Sequence, residues 1–134
     1  MPIKIRKSLD LTTLLKLQLA IFPEDEIYFK DTMHFWIAYD GKVPIGFCII
    51  NQYDSSTCWF PRAGVLAGYR GKGLQRRLIS VRTRWAKKNG FKSIFTYTLR
   101  GNIPSSRNLI KSGFNLYEPE EEYAGEVNYF MLEL

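Results

Sequence analysis

Residues 70–75, Arg-Gly-Lys-Gly-Leu-Gln, combine two glycines with two cations, and Arg76 and Arg77 follow at once. They stand between a short apolar run, Ala63-Gly64-Val65-Leu66, and a segment in which Leu74, Leu78, Val81 and Trp85 recur at helical spacing. A strand, a glycine-rich turn and a helix together make an anion site. The first N–H groups of a helix have no partner within it, and the helix dipole is positive there. Gly71 and Gly73 allow a ligand close to the main chain, and Arg70, Lys72, Arg76 and Arg77 add charge. The chemistry this suits is phosphate binding. Two familiar phosphate loops do not fit, since the turn lacks a Gly-Lys-Ser/Thr ending and also a third glycine with an acidic residue about 20 positions on.

Charge along the chain agrees. The net charge is +6, and between Ser55 and Tyr117 there are thirteen lysines and arginines and no aspartate or glutamate, so the flanks hold six basic and all thirteen acidic residues. A basic middle favours a phosphorylated partner, either a nucleotide-like molecule or nucleic acid. Cys48 and Cys58 have no CxxC or Cys/His spacing, and His34 is the one histidine, so neither a disulfide framework nor a metal site is expected. No apolar run approaches the roughly 20 residues of a membrane helix, and the amino terminus lacks the apolar stretch of a signal peptide. The expectation is a cytoplasmic protein, 134 residues forming one domain, with no membrane partner.

The elements that must position these residues follow from periodicity and punctuation. Ile3–Lys7 reads as a strand, and Asp10 as the cap of a helix whose leucines run to Phe22, where Pro23 ends it. A second, short helix is expected within 24–33. A hairpin follows, Phe35–Tyr39 and Ile45–Gln52 about Asp40-Gly41-Lys42, with Cys58–Leu66 as one further strand. The helix from Leu74 stops at Asn89-Gly90. Ser93–Leu99 alternates as a strand, Pro104–Lys111 is helical, and Phe114–Tyr117 and Val127–Leu134 are strands joined by the acidic stretch at 118–122. The fold class is α/β (α+β): a mixed, mostly antiparallel sheet of about seven strands with helices on both faces, in the order β-α-α-β-β-β-α-β-α-β-β.

Arg70-Gly71-Lys72-Gly73, after Ala63-Gly64-Val65 and before the amphipathic helix, resembles the acetyl-coenzyme A signature of the GNAT superfamily of N-acetyltransferases, Arg/Gln-x-x-Gly-x-Gly/Ala. A second block, Asn102 through Gly113-Phe114, is similar to that family's later motif, and the two stand in the family's order. The resemblance implies an acetyl-CoA-dependent N-acetyltransferase of GNAT-like fold, with no metal, in which the amine attacks the thioester directly. It implies that the pyrophosphate lies on the N–H groups of Arg70, Gly71, Lys72, Gly73, Leu74 and Gln75. The pantetheine arm then follows Ala63 and Val65, an amide at or beside Val65 meets the thioester oxygen, and Asn102 holds the arm from the other side.

Two departures from the pattern bear on mechanism. Gln75 stands where the family has Gly or Ala, and Leu109 where many members carry a tyrosine acid. Ser105, at a position that is serine in some protein-acetylating relatives, is then the candidate acid. The preceding strand carries no glutamate, which leaves Glu24 as the base candidate, with Asp25, Glu26, His34, Asp54 or a water relay as alternatives. By resemblance the acceptor groove lies between Phe22–Phe29 and Glu118–Tyr123. Both stretches are acidic and aromatic, which favours a cationic amine such as a polyamine, a lysine or a protein amine. Two other classes remain: a coenzyme A-binding module without transfer activity, and nucleic-acid binding by the basic helix, which would leave the Asn102–Phe114 block unexplained. The sequence does not fix the oligomeric state, and a homodimer is allowed.

Overall fold

The computed structural model describes residues 2–26 and 29–134. Strand β1 (Ile3–Ser8) pairs antiparallel with β2 (Met33–Asp40), which forms a hairpin with β3 (Val43–Gln52) through a turn at Gly41. Between β1 and β2 lies α1 (Leu11–Ile21). Asp10 starts it, accepting hydrogen bonds from the Thr13 N–H at 3.1 Å and the Thr13 hydroxyl at 2.6 Å. Alternation in β2 and β3 assigns the two faces of the sheet. Phe35, Ile37, Phe47 and Ile49 pack beneath Leu14 and Leu17 of α1, while Ala38, Cys48 and Ile50 turn to the opposite face. That second face is covered by α2 (Leu74–Lys88) and α3 (Ile103–Lys111), with Leu74, Leu78 and Leu109 in the same core as Ile45 and Ile50.

The expected single strand Cys58–Leu66 is two strands, β4 (Thr57–Trp59) and β5 (Ala63–Val65). The physical reason sits between them: Pro61 has no N–H to give a ladder, and pairing with β3 resumes beyond it one residue out of register. Both strands lie against β3, at Asn51↔Trp59 and at Gly46↔Val65. Only β4 continues the sheet, pairing in parallel with β6 (Ser93–Leu99), which pairs antiparallel with β8 (Val127–Glu133). Strand β7 (Asn115–Leu116) closes that edge, so the order is β1-β2-β3-β4-β6-β8-β7 with β5 off this path. The sheet has eight strands where about seven were expected, mostly antiparallel, with helices on both faces.

The second helix expected within 24–33 is not found among the described residues. Turns and bends occupy 23–25 and 31–32, and positions 27 and 28 lie outside the description. Pro23 and the polar run after it give no apolar stripe to bury, and α1 ends one residue before Phe22. No helix among the described residues is long and apolar enough to cross a membrane.

Candidate active site

The break between β4 and β5 opens the sheet. Phe60 still touches β6, its N–H donating to the Phe95 carbonyl at 3.2 Å and its carbonyl accepting from Thr96 Oγ1 at 3.1 Å. Beyond it β5 follows β3 and leaves β6 behind. The Leu66 N–H donates to the Ile45 carbonyl and the Ile49 N–H to the Arg62 carbonyl, both at 2.9 Å. Antiparallel bonding alternates, so Ala63 and Val65 turn their backbone groups away from β3, toward the gap.

Arg82 props this opening. Its side chain is buried at 3% exposure, with Nη1 donating to the Ile49 carbonyl and Nε to the Leu78 carbonyl, both at 3.1 Å. The guanidinium lies 3.7 Å from the centre of the Phe60 ring. Arg82 thus fills a β3 carbonyl at the point where the strand beside it changes from β4 to β5.

A cavity of about 260 Å³ occupies the gap. It gathers Ala63 from β5, Gln75 from the first turn of α2, Thr96 and Thr98 from β6, and Asn102, Ser105 and Leu109 from α3. Four sequence-predicted site residues therefore share one cavity: Ala63, Gln75, Asn102 and Ser105. Asn102 caps α3, its Oδ1 accepting from the Ser105 N–H at 3.3 Å. Ser105 is half-buried, and it is Ser106, not Ser105, whose hydroxyl pairs with Thr98 at 2.7 Å. Leu109, where a tyrosine was the family alternative, gives the cavity an apolar wall.

Val65 and Leu74 are buried in the core beneath the cavity's neighbours. Arg70, Gly71, Lys72 and Gly73 form the exposed turn that enters α2, after one 3₁₀ turn at Ala67–Tyr69. Gly71 and Gly73 have φ of 75° and 77°, the left-handed region, and a Cβ at either would meet nothing within 4 Å. The main chain is therefore bare at the helix N-terminus. The Arg70 Nε turns back to the Val65 carbonyl at 3.2 Å, Lys72 Nζ stands 5.7 Å over the Tyr69 ring, and Tyr69 bonds Asp40 at 2.6 Å, pinning the turn to the β2–β3 hairpin. These cations and bare amides fit the phosphates of coenzyme A. Arg77 points elsewhere, to the Ile3 carbonyl at 2.9 Å.

None of the base candidates lines the cavity, which holds no aspartate, glutamate or histidine among the described residues. Glu24 is in the exposed turn after Pro23. Asp25 pairs with Arg62 at 3.5 Å, and Arg62 also reaches the Gln18 Oε1 and the Glu26 carbonyl, both at 3.1 Å. His34 packs on Trp85 at 4.4 Å with the rings tilted by 39°, its pKa lowered by burial and by Lys7. Asp54 closes the β3–β4 turn, and the backbone N–H groups of Ser56 and Thr57 help hold its carboxyl below the usual carboxylate range. Burial pushes the Cys48 thiol up to about 11 and the Cys58 thiol up to about 12. Among the described residues no group of three or more His, Cys, Asp or Glu is placed to hold a metal ion.

Sequence reasoning missed Arg82 and a second cavity, of about 710 Å³, on the face that carries α1. Its wall includes Trp59, Phe95 and Tyr97, from strand positions facing opposite to Cys58, Ile94, Thr96 and Thr98. The alternation of β6 sets Phe95 and Tyr97 on the face opposite the core residues Ile94 and Thr96, but nothing in the sequence brings the other walls to them. Tyr97 lines both cavities, from the strand that borders the gap in the sheet. The expected acidic groove is only partly assembled. Tyr117 and Tyr123 reach the second cavity, Glu118 and Glu122 line a different recess beside Arg100, and Tyr28 lies outside the described residues.

The sequence matches the profile of the acetyltransferase (GNAT) family over residues 8–114. Solved structures share the fold. A GNAT family acetyltransferase from Elizabethkingia anophelis, with acetyl-CoA bound, superposes with a TM-score of 0.81 at 17% identity over 98% of both chains. An acetyltransferase from Bacillus subtilis in complex with CoA gives 0.82 at 18% identity over 99% of both chains. The PaiA N-acetyltransferase from Thermoplasma acidophilum, in complex with coenzyme A, gives 0.79 at 19% over 100% of both. Among curated proteins no match is found. With the profile spanning most of the chain and the split sheet beside a glycine turn, this protein is a member of the acetyltransferase (GNAT) family.

Proposed function

We propose that the protein moves an acetyl group from acetyl-CoA to a primary amine by direct attack in a ternary complex. The observation that carries this reading is the cavity in the gap between β5 and β6, lined by Ala63 and by Gln75 of the first turn of α2, beside the bare glycine turn that enters that helix. Gly71, Lys72, Gly73 and the first turn of α2 would hold the pyrophosphate, Arg70 and Lys72 adding charge, and Asn102 would hold the pantetheine arm. When bound, acetyl-CoA supplies a thioester carbonyl as the electrophile. The acceptor nitrogen forms the new N–C bond, the C–S bond breaks, and the proton shed by the amine balances the thiolate that leaves.

Both cysteines are buried with raised pKa values, and neither lines the cavity, so no thiolate stands ready as an enzyme nucleophile. That supports direct attack over an acyl-enzyme. The Val65 N–H would stabilise charge on the carbonyl oxygen as the amine adds. Ser105 would supply the proton to the departing sulfur, a modest task for a thiol whose pKa is about 8.5, like that of cysteine. With no carboxylate or imidazole in the cavity lining among the described residues, the amine would arrive neutral or lose its proton to water.

The experiment is a thermal-shift series with acetyl-CoA and coenzyme A, followed by a free-thiol assay against a panel of amines. A ligand that binds only the native state at a hundredfold excess over Kd stabilises by about 2.7 kcal/mol. Stabilisation with amine-dependent thiol release supports transfer. The apolar Leu109 and the lack of a base favour a second reading, a coenzyme A-binding protein without transfer, which predicts stabilisation with no thiol release.

A further inference from the structure

The second cavity names the acceptor's chemistry. Tyr53, Trp59, Phe95, Tyr97, Tyr117 and Tyr123 line it, and among the described residues its one charged side chain is Lys30, with no carboxylate. The rings form a connected cluster. Tyr53 meets Phe95 edge-on at 5.4 Å, Trp59 stacks on Phe95 at 6.3 Å, and Tyr123 meets Phe95 at 5.8 Å and Tyr97 at 6.0 Å. Tyr129 fixes the loop that carries Tyr123, bonding the Ala124 N–H at 3.1 Å and carbonyl at 2.6 Å and packing on Tyr123 at 4.8 Å. The loop's aromatics are thus anchored against the sheet, while Glu118 and Glu122 line a separate recess and Glu120 and Glu121 are exposed.

We propose that this cavity binds an arylalkylamine, a primary amine on a short arm from a planar aromatic ring, and presents its nitrogen past Tyr97 to the acyl cavity. The inference rests on the N-acetyltransferase reading and deepens it. Aromatic walls with exposed faces and edges accept another ring at the same 5–6 Å edge-to-face spacing they use among themselves. The cavity's volume suits a small molecule. Walls without a carboxylate also disfavour the charged form of any amine that enters, which favours the neutral nucleophile. The same walls penalise a polyamine, whose remaining ammonium groups would lose water and gain no counter-charge beside Lys30. The proposal differs in this from the cationic acceptor expected from the acidic loops, and the assay below separates the two.

The test compares 2-phenylethylamine, hexylamine, spermidine and a basic tetrapeptide as acceptors at saturating acetyl-CoA, with wild type, Trp59→Leu and Tyr123→Ser. Tyr123 is 47% exposed on its loop, so its replacement leaves the core intact. The expected result is a kcat/KM for phenylethylamine about tenfold above the other three, reduced about tenfold in each variant and mainly through KM, with hexylamine unaffected. Equal or better use of hexylamine, spermidine or the peptide overturns the inference and leaves N-acetyl transfer standing. If acetyl-CoA stabilises the protein but no amine turns over, phenylethylamine is titrated into the coenzyme A-saturated protein and followed by tryptophan fluorescence. A saturable change that Trp59→Leu abolishes supports the aromatic site without the transfer; no such change overturns it.

Discussion

Replacing Gly73 separates what the turn does for the fold from what it does for a ligand. Gly73 holds φ 77°, and a Cβ there meets nothing within 4 Å, so Gly73→Ala adds no clash and its cost to the free protein is backbone strain alone. Left-handed backbone costs an alanine about 1–2 kcal/mol, whereas asparagine tolerates it far better. At about 2.1 cal/mol/K per residue of unfolding entropy, 1 kcal/mol lowers Tm by about 4 °C in a chain of this length. Gly73→Ala should therefore lower Tm by roughly 4–7 °C and Gly73→Asn by less than half as much. Ligand affinity should not follow that order. Either side chain projects into the open space through which a pyrophosphate would reach the N–H groups of α2, and losing one charge-assisted hydrogen bond is worth about 1.5–3 kcal/mol. Both variants should weaken acetyl-CoA binding about tenfold or more by titration calorimetry. Wild-type affinity in both would refute the close approach of phosphate to this turn. Affinity that merely tracks Tm would assign the glycine to the fold.

Three further outcomes follow from other parts of the molecule. Arg82→Lys keeps a charge but not the planar fork that serves the Ile49 and Leu78 carbonyls and stacks on Phe60, so denaturant unfolding should show a loss of about 2 kcal/mol; unchanged stability would mean the gap needs no prop. The Cys48 and Cys58 thiols, pushed up to about 11 and about 12 by burial, should stay silent to a thiol reagent at pH 8 in the native protein and both react in denaturant, and rapid native labelling would contradict their burial. The folded-state pKa of His34 is lowered, so the unfolded chain takes up its proton first as pH falls below about 6.5, and the stability His34 holds as a neutral ring is lost between there and its lower folded value. Tm measured from pH 7.5 to 5 should fall more steeply in wild type than in His34→Gln; parallel curves would assign the acid sensitivity to other groups.

The sequence disclosed three helices and the hairpin because their caps and breakers are local: Asp10, Pro23, Gly41, Gly90 and Pro104 each act within a few residues. It concealed the division of Cys58–Leu66, where an apolar run continues across Pro61 and only the partners of each half, β6 for one and β3 for the other, separate them. Arg82 reads in sequence as one more cation on a basic helix. In the fold it lies in the buried stripe with Leu78, Ile79 and Ala86, while Val81 and Trp85, the expected stripe members, are half-buried. The phosphate turn was legible from its glycines and charges together. The aromatic cavity was not, since Trp59, Phe95, Tyr117 and Tyr123 come from four places in the chain and converge only through sheet register.

We propose above all that acetyl-CoA lies along β5 with its phosphates on the N-terminus of α2. Amide hydrogen exchange, measured with and without saturating acetyl-CoA, reads that claim residue by residue. Added protection should concentrate at Ala63–Val65 and at 71–76, with the Val65 amide slowed by at least about tenfold by its new acceptor. Protection that leaves both segments unchanged, or that falls instead on the exposed basic face of α2, would contradict it.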